Sequence, residues 1–203
     1  PEALIDVNID RLEYVKEKSV LNNKDELFEN ALESITKKYG DLPAAAQAWY
    51  LLASSYNEKA NEYKPYGDST HRMDKLIAKQ ICERVLKQKD TTEGLINCIN
   101  LMKEINKKEL KFSLEKVNVP GIPFRSLVEY RNINQVHLRL IKADDKLKKE
   151  LEDRNQEKYW PALVKAAALK TWQQPLPTVN DMQQHNVEIK IDAPAPGEYI
   201  LLA

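Results

Sequence analysis

The chain has 203 residues, 31 basic and 31 acidic, so it carries no net formal charge and no electrostatic footprint for nucleic acid. Hydrophobic residues at 42% and charged residues at 31% are those of an ordinary globular protein, which excludes disordered, collagenous and purely coiled-coil chains. Its mean hydropathy of −0.59, with no apolar run near ~20 residues, excludes a membrane-spanning helix, and five glycines leave little for a phosphate-cradling loop.

In chain order, the first half reads as helices. Asp6–Val20 carries Ile9, Leu12 and Val15 three apart, and a segment from Asn23 or Lys24 to Tyr39 carries Leu27, Phe28, Leu32 and Ile35. Gly40 suits a left-handed C′ position that would end it. Pro43 suits the first turn of a third helix, which needs no N–H donor there and runs to about Tyr63. Pro65–Asp68 is a turn. Asp68, Ser69 or Thr70 is expected to cap a fourth helix with Met73, Ile77, Ile81 and Val85 in line. Asp90 or Thr91 is expected to cap a fifth with Leu95, Ile99, Met102 and Ile105 on one face. Short connections make neighbouring helices antiparallel.

Within the third helix, Trp49-x-x-Leu52-Ala53-x-x-Tyr56 resembles the first helix of a tetratricopeptide repeat, where a small residue lets the partner helix approach. Stepping about 34 residues either way lands on Val15 and Glu83, and neither starts a second copy. If this helix lines a concave binding side, the residues off its packing stripe, Tyr50, Ser54, Asn57 and Asn61, form a polar strip for a protein partner, with a plain solvated face as the alternative.

Composition and period change together near Lys111. Three prolines precede it and seven follow, while charge barely changes, with 17 basic and 19 acidic residues before the break and 14 and 12 after it. Phe112 and Leu114 alternate with polar residues, and Val117 and Val119 continue on the opposite parity, which predicts a bulge or bend near Lys116. Pro120–Pro123 is a turn. Phe124–Tyr130 alternates loosely, Arg131–Asn134 reads as a hairpin turn, and Val136, Leu138 and Leu140 alternate again. A helical insertion spans about 144–169. Its charged run Asp145–Arg154 is a solvated face, and Tyr159, Trp160, Leu163 and Leu169 are expected to dock it. Thr171–Leu176 reads as an edge strand, because Pro175 and Pro177 interrupt it. Val187, Ile189 and Ile191 form a clean strand, and Ala193–Gly197 turns into a last strand, Glu198–Ala203. Half-buried antiparallel strands of this kind predict a seven-strand-class β-sandwich. The fold class is therefore α+β in two domains: 1–110 helical and tetratricopeptide-like, 111–203 a β-sandwich with a helical insertion. A start at Pro1 and a close on an apolar strand predict a fragment of a longer protein.

Chemistry is sparse. His71, His137 and His185 fall in separate elements, and none has a second ligand at metal-binding spacing. His137, mid-strand, is expected to face outward. No nucleophile-elbow, zinc-protease or dinucleotide motif occurs. Cys82 and Cys98 match no zinc pattern and read as small core residues, with a redox pair or an interhelix bridge as the functional alternative. The expectation is no catalytic residue, no cofactor, no metal and no enzyme.

Phe124-Arg125-Ser126-Leu127-Val128-Glu129-Tyr130-Arg131-Asn132-Ile133-Asn134-Gln135-Val136-His137-Leu138-Arg139-Leu140-Ile141 resembles a strand pair of the bacterial α2-macroglobulin family, in its Bacteroides-type branch. So does the run Val187–Leu202, with Pro196 and Gly197 making a turn and Tyr199 packing inward as the strand begins. The resemblance covers about ninety residues, and the helices before them fit the same branch. It implies a macroglobulin-like domain within a large secreted, envelope-anchored protein that traps proteases, and hence a periplasmic or cell-envelope location. The partners implied are other domains of the parent chain, proteases or envelope proteins. Neither Cys82 nor Cys98 fits the family's Cys-x-Glu-Gln thioester, so this part of the chain would be scaffold. The alternative from another class is a protein- or peptide-docking adaptor working through the helices.

Overall fold

The structure, a computed structural model, describes residues 2–152 and 156–203. Among them are seven α-helices and two three-stranded antiparallel sheets, so the fold is mixed α+β, as expected. The chain divides into two compact units: residues up to Lys107 with Val179–Gln183, and Lys108–Thr178 with Gln184–Ala203.

The helical unit contains α1 (Glu2–Lys18), α2 (Lys24–Tyr39), α3 (Ala46–Lys59), α4 (Asp74–Val85) and α5 (Glu93–Ile105), with 3-10 turns at Pro43–Ala45 and Ala60–Glu62. Helix α3 is its centre and packs against α2, α4 and α5. The cause is its alanines. Ala45, Ala46, Ala48, Ala53 and Ala60 are all buried, and single methyl groups let three neighbours approach one backbone. On one side Ala48 and Leu52 meet Ile5, Ile9, Phe28 and Leu32. On another, Ala46 and Ala53 meet Ala78, Cys82, Val85, Cys98 and Ile105. Trp49 and Tyr56 pack against both clusters.

Several helix ends differ from expectation for local reasons. Helix α4 begins at Asp74 without a side-chain cap, because the Asp68 carboxylate accepts from the Thr70 N–H (2.9 Å) and holds the preceding turn. The cap of α5 is Thr92, whose Oγ1 accepts from the Leu95 N–H at 3.2 Å. Gly40 is right-handed (φ −61°), not left-handed. A Cβ there would overlap the Thr36 carbonyl oxygen and press on Trp49, whose indole Nε1 donates to the Gly40 carbonyl at 3.2 Å. Gly94 is buried for a similar reason, since a Cβ would overlap the backbone of Ala46 and Gln47 where α5 starts against α3.

Residues 179–183, which period and proline content place with the strands, belong to the helical unit. Met182, with φ 59°, packs on the cluster around Ala53 and Ala78. The carboxylate of buried Asp181 accepts from Arg72 Nε (3.0 Å) and from the Gln183 N–H (3.0 Å). The buried Gln183 amide donates to the Ala60 carbonyl (3.0 Å) and the Arg72 carbonyl (3.4 Å). These bonds satisfy carbonyls that the ends of the α3 region and the turn before α4 leave open.

The strand unit holds β1 (Glu109–Ser113), β2 (Phe124–Arg131), β3 (Gln135–Lys142), α6 (Asp145–Glu152), α7 (Gln156–Lys165), β4 (Ala168–Pro175), β5 (His185–Ile191) and β6 (Tyr199–Leu202). One sheet has the order β1–β2–β5 and the other β4–β3–β6. Strands β2 and β3 therefore lie in different sheets, so Arg131–Asn134 is a crossing between sheets and not a hairpin turn. Asn132 takes the left-handed backbone (φ 55°) that asparagine tolerates. Strands β5 and β6 are likewise split between sheets. Val128 and Tyr130 of β2, Ile189 of β5 and Val136 and Leu138 of β3 form one core, joined by Trp172 and Leu201.

Six strands are present among the described residues, against seven-strand-class expected. Val117 and Val119 form none and are exposed, since no neighbouring strand offers them a ladder. Strand β4 is an edge, as Pro175 and Pro177 required. In the insertion Leu163 is buried, but Trp160 and Leu169 are exposed. Helix α7 is anchored instead by Arg139 of β3, whose guanidinium donates to the Val164 (2.9 Å) and Ala166 (2.6 Å) carbonyls at the helix end. The last residues of the predicted charged run, Asp153 and Arg154, lie outside the described residues.

Two substitutions test this packing. Gly94→Ala gains about 1 kcal/mol of helix propensity, yet the overlap with the α3 backbone should make it destabilising by about 1–3 kcal/mol. Urea unfolding checks the sign, and a stabilised variant would mean that α5 does not seat on Ala46–Gln47. Gln183→Leu keeps the volume and removes the donor to two carbonyls, so its unfolding free energy should fall by about 1–3 kcal/mol.

Candidate functional site

The four residues expected to form a binding strip differ in exposure. Tyr50 packs half-buried against the α3–α4–α5 cluster, because α3 is enclosed on that side by α5 as well as by α4. Asn57 is half-buried and Asn61 exposed. Ser54 points elsewhere, into a cleft of about 540 Å³ between α1, α2 and α3.

That cleft is lined by residues of all three helices. Lys16 spans its mouth, paired with Asp25 at 3.3 Å and lying over the Phe28 ring at 4.7 Å. Ser54 and Glu58 stand one turn apart on α3, and Ser55 lies in the same wall. Ser55 Oγ donates to one oxygen of Glu29, and Lys59 Nζ donates to the other at 2.5 Å. Burial would push the Lys59 ammonium down, but the hydrogen bond and charge of Glu29 outweigh it and hold the group above its ordinary value. Lys59 is thus a charged partner and no general base. Ser55 is buried and spends its hydroxyl hydrogen on Glu29, as a hydrogen-bond donor. Tyr56 beside them is pushed up by burial and by the Glu33 and Glu29 charges. The arrangement ties α2 to α3 through a partly buried ion pair.

Along the other side of α1 runs a groove of about 410 Å³ whose charged lining is entirely acidic: Glu2, Asp6, Asp10 and Glu13 of α1 with Glu93 of α5. The α1 residues recur at three- and four-residue spacing, so one helix face presents them together. Glu13 joins the two concavities. Burial first, then the charges of Asp10 and Glu93, raise its carboxyl above the ordinary value of 4.5. The packing of α1 over the starts of α3 and α5 gathers these carboxylates with Glu93.

Elsewhere, His71 Nδ1 lies 2.8 Å from Asp74, the His185 ring lies tilted with its centroid 5.8 Å from that of Tyr130, and His137 faces outward as expected. Among the described residues no group of three or more His, Cys, Asp or Glu side chains is placed to hold a metal ion. Comparison of the chain with protein-family models, curated proteins and solved structures finds no match in any of the three.

The raised Glu13 carboxyl sets a pH dependence. Its stabilising contribution is complete below pH 4.5 and is lost as pH rises through the folded-state value. Glu13→Gln should therefore raise the thermal midpoint near pH 7, by roughly 1–2 °C given solvent screening. It should leave the midpoint unchanged in acid below the ordinary value. Scanning calorimetry of both proteins at the two pH values measures it, and a lower midpoint at pH 7 would contradict it.

Proposed function

We propose that this chain is a non-catalytic scaffold portion of a large α2-macroglobulin-like protein of the cell envelope, whose parent molecule inhibits proteases by trapping them. In this reading the strand unit is a macroglobulin-like sandwich with a helical insertion, and the helical unit is a tetratricopeptide-like array. The observation that carries it is the core shared by the two sheets, with β2 and β5 in one and β3 and β6 in the other. The two sequence runs that resemble the family lie on these four strands, where each run bridges one sheet to the other. Tyr199 supports it further: its hydroxyl donates to the Ala195 carbonyl at 2.8 Å and closes the loop at Pro196 and Gly197. The partners are then the parent chain's other domains, and proteases or envelope proteins meet the assembled molecule. The adaptor reading is the weaker one, because Tyr50, its aromatic anchor, is engaged in the core.

The parent protein tests this. Incubated with an endoprotease, it should leave cleavage of a small peptide substrate intact while suppressing cleavage of a large protein substrate. The chain of 203 residues by itself should do neither. Unimpeded cleavage of the large substrate, or a flanking sequence without further sandwich domains, would overturn the reading.

A further inference from the structure

Helices α4 and α5 each contribute one cysteine to the same apolar cluster. Cys82 and Cys98 are both free and fully buried. They sit in the cluster that also holds Ala46, Ala53 and Ala78, where small residues bring the helices together. Helices α4 and α5 pack against each other, and across that contact the two thiols are close enough to perturb one another. A disulfide needs its two sulfurs at about 2.05 Å, and the shared cluster brings both side chains to the same helix seam. Ala46, Ala53 and Ala78 are among the residues of that cluster, with Val85 and Ile105.

We propose that Cys82 and Cys98 are a disulfide-forming pair whose oxidation clamps α4 to α5 and braces the helical unit. The co-reactant is a disulfide, either of a protein thiol oxidoreductase or of a small thiol such as glutathione. The Cys82 sulfur, deprotonated, attacks the donor disulfide and forms a mixed disulfide as one donor thiolate leaves. The Cys98 sulfur then displaces the second donor thiolate. One S–S bond has formed and one has broken, the two cysteine protons end on the two donor sulfurs, and the donor is reduced by the two electrons the cysteines lose. Because both sulfurs are buried, exchange takes place during folding or when α5 opens locally. The bridge closes a short loop containing the α4–α5 connection and so restrains the unfolded chain. The proposal is independent of the scaffold reading: it requires an oxidising environment and no particular parent protein.

The test uses the whole chain, reduced, unfolded, and refolded in buffers of oxidised and reduced glutathione at graded ratios. The expected product is a monomer lighter by two hydrogens that resists alkylation in denaturant, with peptide mapping joining Cys82 to Cys98. Its thermal midpoint should exceed that of the reduced protein by roughly 5–10 °C and fall back on reduction. Cys82→Ala and Cys98→Ala, both tolerable in a small-residue cluster, should fold and show no redox-dependent shift. Two alkylatable thiols after refolding in excess oxidised glutathione would overturn the proposal. So would bridging only between chains, or a bridged form less stable than the reduced one.

Discussion

The helical unit depends on how closely other backbones approach α3. A helix with leucine or isoleucine at positions 46, 48 and 53 would hold its neighbours a full side chain away. With alanine there, α2 and α4 seat on opposite sides and α5 begins directly on the Ala46–Gln47 backbone, which leaves no room for a Cβ at Gly94. Trp49 and Tyr56 then fill the wedges between the two clusters, and Trp49 covers Gly40 at the end of α2. The same closeness brings the two thiols together, so the redox pair and the packing of α3 have one cause.

Close packing of short helices exposes a second constraint, the open carbonyls at their ends. The region from Ala60 to Arg72 contains a 3-10 turn and loops, and not all of its carbonyls are met within it. Residues 179–183 satisfy it from a distant part of the sequence, with Gln183 bonding two of its carbonyls and Asp181 taking the Arg72 side chain. Polar residues here do what a helix cap does elsewhere. Their burial is tolerable because each has a partner.

Carboxylates collect on α1 by the same route. Each is an ordinary surface acid in its own helix, and the field at Glu13 arises only when Asp10 and Glu93 stand beside it. An acidic groove concentrates cations and repels anions. At the other end of α1, the paired Lys16–Asp25 and Lys59–Glu29 contacts balance charge locally and fasten α1, α2 and α3 in sequence.

Local pattern by itself determined the elements. Hydrophobic period placed five helices before Lys107 and the strands after it, Pro175 marked β4 as an edge, and His137 was legible as an outward strand position. These features depend on residues within a few positions of one another, where side-chain spacing and backbone preference are set by the chain itself. What only the tertiary structure decided depends on distant partners. Alternation shows that β2 and β3 are strands but not that they belong to different sheets, because each presents the same pattern whichever neighbour it bonds. The exposed face of α3 was misjudged at Tyr50 because helix period counts apolar residues, whereas enclosure depends on α5, more than forty residues later. Residues 179–183 lack a periodic signal altogether: their place follows from carbonyls left open elsewhere, which no local rule can see.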